Sequence, residues 1–244
     1  MHACTKALTL TAGCLLVVGT SVAGTLSEMD EAHLIFMRSE EKLARDVYLT
    51  IAQMYETPSV FAEIATRSEQ DHTDTMRKML IKFGIPDPEP STAPGALPPA
   101  DQIGVFENPY FAAYFAGKYD DLVGSASVGL VEALYVGAKI EELDMLDLNY
   151  CNQDAFSQYY PGLPAYPDCG GLATTTVKPL QNTLGNLLAG SENHLCAFVS
   201  QLGPMIDGCY EAQVLEQQQV RDIIEAQCPE FIGFVCEPEP LELE

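Results

Sequence analysis

A glutamate and a histidine three residues apart on a helix can grip one metal ion from adjacent turns, because such positions differ by about 60° in azimuth and about 4.5 Å in height. Glu69 and His72, within Arg67-Ser68-Glu69-Gln70-Asp71-His72, have that spacing. They interrupt a stripe of Ala65, Met76, Met79 and Phe83 along the helical run Val60 to Phe83. A carboxylate and an imidazole on a face that should be buried cost roughly several kcal/mol unless paired or coordinated. Three other runs repeat the exception. Glu41 breaks the stripe Met37, Ala44, Tyr48, Ile51, Tyr55, and Glu141 breaks Val131, Leu134, Ala138, Met145, Leu148, with Asp144 one helical step away. Ser191 and His194 break Leu180, Leu184, Leu187, Phe198, Leu202. Glu41, Glu69, His72, Glu141, Asp144 and His194 together supply four carboxylates and two histidines, a donor set suited to two cations about 3.5–4 Å apart.

Neighbouring residues receive other readings. Glu40 is the second choice on the first run and is expected as a half-exposed partner of Lys42 or Arg45, while Glu142 is expected at the surface. Tyr48 and Tyr55 read as core, with Tyr48 also placed to donate to a ligand carboxylate. Met76, Met79 and Met145 read as core fillers. His2 and His33 carry no assigned role.

The elements that must position these groups are all helical. The first run extends from Ser27 to Tyr55, with Ser27 or Asp30 as its cap and Thr57-Pro58 as its stop. Ser59 can cap the second, which Gly84 and Pro86 end, and the short link makes the two antiparallel neighbours. Pro86 to Gly104 is a proline-dense connector. Asn108-Pro109 opens a short helix to about Leu122, whose Tyr110, Phe111, Tyr114 and Phe115 read as a cover on the bundle, the alternative being a patch for a partner. The third run starts at Ser125 or Ser127 and ends near Leu148, and the fourth covers Thr175 to Leu202. A further helix, about Glu211 to Gln227, lies between Cys209 and Cys228. The predicted class is an all-α four-helix bundle over 27–202 with a long crossover, followed by a Cys-rich acidic extension over 203–244.

With 244 residues the chain can bury a sizeable core. Its 12 basic and 35 acidic residues give a formal charge of -23, which argues against a phosphate backbone or an anionic membrane surface and makes cations the natural guests. Most of this charge also serves solubility. Lys6 ahead of the apolar run Ala7 to Val18, then Ser21-Val22-Ala23, predicts a signal peptide over 1–23 and a secreted or periplasmic protein. A lipoprotein cysteine at Cys14 and a membrane span are the weaker readings. Removing the signal leaves Cys151, Cys169, Cys196, Cys209, Cys228 and Cys236, read as disulfides, with Cys151 and Cys169 expected to hold the Pro- and Gly-rich loop between them.

At these residues the chain resembles the ferritin-like superfamily, and within it a rubrerythrin-related branch. The segments that carry the resemblance are Glu40-Glu41-Lys42-Leu43-Ala44-Arg45-Asp46-Val47-Tyr48, Ser68-Glu69-Gln70-Asp71-His72, Ile140-Glu141-Glu142-Leu143-Asp144 and Ser191-Glu192-Asn193-His194-Leu195-Cys196-Ala197-Phe198. The resemblance implies one ligand from the first helix (Glu41), a pair from the second (Glu69, His72), Glu141 from the third with Asp144 as an extra acid, and His194 from the fourth. It further implies iron, as two ions or one, with manganese or zinc as alternatives, and an oxidase, peroxidase or ferroxidase reaction with dioxygen or peroxide. Ser191 departs from the pattern, standing where the fourth-helix glutamate belongs. That departure favours metal sequestration without catalysis, and a metal-free helical scaffold is the third reading.

Overall fold

The computed structural model describes residues 25–91, 93–150, 152–160 and 171–239. The expected signal peptide, Cys151 and Cys169 lie outside the described residues. Helices α1 (Glu28–Met54), α2 (Val60–Glu63), α3 (Gln70–Phe83), α4 (Ala112–Ala126), α5 (Leu130–Asn149), α6 (Gln153–Tyr159), α7 (Lys178–Leu202) and α8 (Gln217–Gln227) follow one another in the chain. Among the described residues the β pairing is a single parallel bridge, Tyr210 to Val235. The chain is therefore an all-α bundle, in which α1 packs along α3 and α5 along α7.

Ser27 closes the N-terminus of α1 with a reciprocal capping box to Asp30, which satisfies donors that the first turn leaves free. From Ala32 to Tyr48 every residue of α1 is buried. Such a helix needs partners on all sides, and its charged residues need counter-charges. The proline-rich crossover supplies the missing side. Arg38 and Arg77 converge on Asp87, Ser39 donates to Glu89, and Asn108 donates to Ser39 and to the Ile35 carbonyl. Asp74 accepts from the Gly95 amide and Asp46 from the Gly104 amide, so the connector is strapped to α1 and α3 by buried carboxyl groups. Lys42 and Arg45 both pair with Asp46 instead of Glu40.

Glu40 is accordingly not half-exposed: it is buried and hydrogen-bonded to Asp147. The second predicted run is also not one α-helix. Residues Ile64–Glu69 form a π-helical segment between α2 and α3, a local widening frequent at functional sites. Ser59 makes no cap bond to the backbone and donates to Glu63. Ser125 and Ser127 do not start α5. Their hydroxyls donate back to the Asp121 and Gly124 carbonyls of α4, which runs to Ala126, and Gly129 precedes Leu130 as the new start.

The aromatic helix is a cover: Phe111 and Phe115 are fully buried and cluster with Phe36 and Phe156. Past α7, disulfide Cys196–Cys228 pins the start of the final 3-10 turn to α7, and Cys209–Cys236 closes the strand-like pair beside it. This extension is why Glu142 is buried and not at the surface. The Glu142 carboxylate accepts from the Tyr210 hydroxyl and from the amides of Gln213, Val214 and Leu215. No helix among the described residues is long and apolar enough to cross a membrane.

Because Glu142 gathers four donors, Glu142→Ala should leave them unsatisfied and destabilise the protein by about 3 kcal/mol. Urea denaturation measures the loss, and limited proteolysis should show earlier cleavage after Leu202. Unchanged stability would mean the extension is held by its disulfides alone.

Candidate metal centre

Each long helical arm delivers at least one polar group to the same interior point. Glu41 comes from the middle of α1, Glu69 ends the π segment, and His72 lies in the first turn of α3. Glu141 and Asp144 come from α5, and His194 with Ser191 from α7. Glu41, Glu69 and Glu141 are at most 2% exposed, so water does little to solvate their charge.

Two triads of ligand atoms result. Glu41, Glu69 and His72 form one, Glu69, Glu141 and His194 the other, and within each the atoms lie inside 4.8 Å of one another. Glu69 belongs to both. Its Oε2 is 3.4 Å from His72 Nδ1, and its Oε1 is 2.9 Å from His194 Nδ1. The outer carboxylates complete the pattern, with Glu41 Oε2 3.2 Å from His72 Nδ1 and Glu141 Oε2 3.3 Å from His194 Nδ1. The two imidazole rings are 5.5 Å apart between centroids. Five of the six predicted residues are thereby brought together. Asp144 stands outside both triads, with one oxygen accepting from the Ser191 hydroxyl.

Two buried carboxylate oxygens here have no hydrogen-bond partner, Glu41 Oε1 and Asp144 Oδ1. Buried polar atoms are normally satisfied, so a cluster of such exceptions suits a cation among them. The protonation pattern follows from the same crowding. Burial pushes the Glu41 carboxyl up to about 7 against the pull of His72. Burial likewise raises Glu141, and it raises Asp144 well above the usual carboxylate range, with Glu41 adding repulsion. Glu69 behaves oppositely. Burial opposes its charge, but His72 and His194 outweigh burial and hold it well below the usual range. Burial opposes protonation of the imidazoles too, yet Glu141 and Glu69 carry His194 to about 10, and Glu69 and Glu41 raise His72.

Supporting groups surround the triads. Tyr48, fully buried between Phe61 and Phe198, donates to Glu141 Oε1 at 2.6 Å, the role anticipated for it. Gly190 has no Cβ for a spatial reason, since one would stand 2.6 Å from the His72 ring. Ser68, which carries no role in the sequence pattern, has its hydroxyl 2.7 Å from His194 Nε2 and 3.5 Å from His72 Nε2. Its signal was present, because Ser68 is four residues before His72 and shares its face. The π segment had no such signal.

The uncharacterised protein domain DUF2202 matches residues 30–160, a span that contains all but the first two residues of α1, the π segment, α3 and α5, and hence five of the six residues. The chain belongs to the DUF2202 family. A relative, the uncharacterised protein MJ0754 of Methanocaldococcus jannaschii, is 35% identical to this DUF2202 protein over 200 residues, covering 82% of this chain and 88% of its own. The crystal structure of hypothetical protein MJ0754 from Methanococcus jannaschii superposes with a TM-score of 0.62 at 34% identity, covering 82% of this chain and 94% of that one. The shared architecture of this DUF2202 member thus extends over most of the chain.

The linked pairs fix a pH dependence. His194, with an ordinary value of 6.5 and about 10 in the folded metal-free protein, stabilises the fold fully below about pH 6.5 and loses that contribution as pH rises through 10. The metal-free protein should therefore lose thermal stability between those limits. Glu69→Gln should flatten that loss and bring both histidines back toward ordinary titration, as read by NMR of the ring carbons. Unshifted histidines in Glu69→Gln would show that Glu69 is not their common counter-charge.

Proposed function

We propose that this DUF2202 protein is a ferritin-like, carboxylate- and histidine-ligated two-metal protein that acts outside the cytoplasm, with iron as its metal and oxidation by dioxygen or peroxide as its reaction class. The observation that carries the reading is Glu69, one oxygen of which faces each triad. Glu41 and His72 would hold one ion, Glu141 and His194 the other, and Glu69 would reach both. The donor chemistry supports iron, manganese or zinc, since it combines hard carboxylate oxygens with one imidazole per ion. When bound, a pair of iron ions supplies one-electron steps and Lewis acidity to a small oxidant.

The residues of the chain perform the rest. Tyr48 orients the Glu141 carboxylate through its hydrogen bond, and Phe61 and Phe198 close the space around that phenol. Ser191 holds Asp144 near the centre, where the acid can swing to supply the oxygen that α7 lacks. The half-buried His72 lies toward solvent, so exchange of small molecules is expected on that side. The Cys196–Cys228 and Cys209–Cys236 disulfides support an oxidising compartment, consistent with the export signal expected over 1–23.

A second reading is non-catalytic metal sequestration. It is favoured by Ser191, which gives α7 a hydroxyl committed to Asp144 instead of a further bridging carboxylate.

Elemental analysis after anaerobic ferrous loading should find two iron ions per chain. Glu41→Ala and Glu141→Ala should each retain one, and Glu69→Ala should retain none. Aerobic oxidation of the loaded iron, followed by absorbance, separates the two readings: turnover supports an enzyme, and tight binding without turnover supports sequestration. Protein that takes up no metal above background would leave a helical scaffold.

A further inference from the structure

The outer edges of the two imidazoles meet at one atom. Both Nδ1 atoms face carboxylates, so both Nε2 atoms point the other way, and Ser68 Oγ lies 2.7 Å from that of His194 and 3.5 Å from that of His72. The next residue, Glu69, spans the same two rings on their Nδ1 side. Consecutive residues of the π segment therefore bracket both histidines, one hydroxyl outside and one carboxylate inside. A hydroxyl oxygen has two lone pairs and can accept from two N–H groups at once. An imidazole that binds a cation through Nδ1 carries its proton on Nε2 and needs an acceptor there to fix the ring.

We propose that Ser68 is a positioning residue that couples the two halves of the centre: by accepting from both Nε2–H groups, it makes orientation of one imidazole depend on the other, so that two ions enter as a pair. This rests on the two-metal reading above. Filling either triad sets the tautomer and tilt of its histidine, which pulls the shared hydroxyl into place for the second. On one side the His72 ring packs directly on Gly190, where a Cβ would stand 2.6 Å from it. Without the hydroxyl, the triads would be joined through Glu69 alone, and the unequal surroundings of Glu41 and Glu141 would separate the two affinities.

The test is an anaerobic cobalt(II) titration of the full chain, followed by visible absorbance, for wild type, Ser68→Ala and Ser68→Thr. Wild type should take up two equivalents in one phase. Ser68→Ala should still take up two, but in two phases whose affinities differ by roughly tenfold or more, the scale of losing such a supporting bond. Ser68→Thr, which keeps the hydroxyl, should return to one phase. In the metal-free protein, 15N NMR of the histidine rings should show that Ser68→Ala shifts both His72 and His194. A single-phase Ser68→Ala isotherm matching wild type, or a shift at one ring only, overturns the coupling and leaves the two-metal reading standing. Wild type that binds no cobalt overturns the two-metal reading itself.

Discussion

Glu69 has an ionised carboxylate sealed from water and turned to two imidazoles at once, 3.4 Å from one and 2.9 Å from the other. A buried charge of this kind survives only when its surroundings are fixed, since removing one partner strands the rest. The bundle is built to fix them. Glu41 on α1 and Glu141 on α5 flank the pair from opposite sides, and the π segment ending at Glu69 sets the carboxylate at the point where all arms converge.

That convergence makes demands on the rest of the chain. A helix buried along its whole middle, as α1 is, needs partners for its polar groups, and the crossover between α3 and α4 answers Arg38 through Asp87 and Ser39 through Glu89 and Asn108. A proline-rich segment is suited to this because it forms little internal hydrogen bonding of its own, which leaves its amides at Gly95 and Gly104 free for Asp74 and Asp46. The C-terminal extension answers a buried acid of α5 in the same way, by bringing four donors to Glu142. Structure that resembles decoration in the sequence is therefore what allows polar residues to remain inside.

Much of this was legible in the chain. Period-3.6 stripes located the four arms, and polar interruptions in them named Glu41, Glu69, His72, Glu141 and His194, because burial makes an unexplained charge conspicuous. What stayed hidden depended on distant partners. Glu40 looked like a half-exposed partner of Lys42 or Arg45 and Glu142 like a surface acid, since nothing local reveals that Asp147 will face one and the segment from Tyr210 will wrap the other. The π segment was hidden because one widened turn scarcely alters a stripe that Ala65 and Glu69 fit under either geometry. Asp144 was grouped with the ligands from its spacing to Glu141, whereas its position beside Ser191 depends on how α5 and α7 face each other. The expectation of export was read from residues 1–23 and from cysteine usage, and the two disulfides on α7 and the extension fit an oxidising compartment.

Anomalous diffraction from crystals grown with manganese or ferrous iron probes the shared role of Glu69 without an intermediary. Two peaks are expected about 3.5–4 Å apart, one between Glu41 and His72 and one between Glu141 and His194, with Glu69 touching both. Crystals with no anomalous density among these residues, or with a lone ion at a surface acid, would contradict a shared two-metal centre.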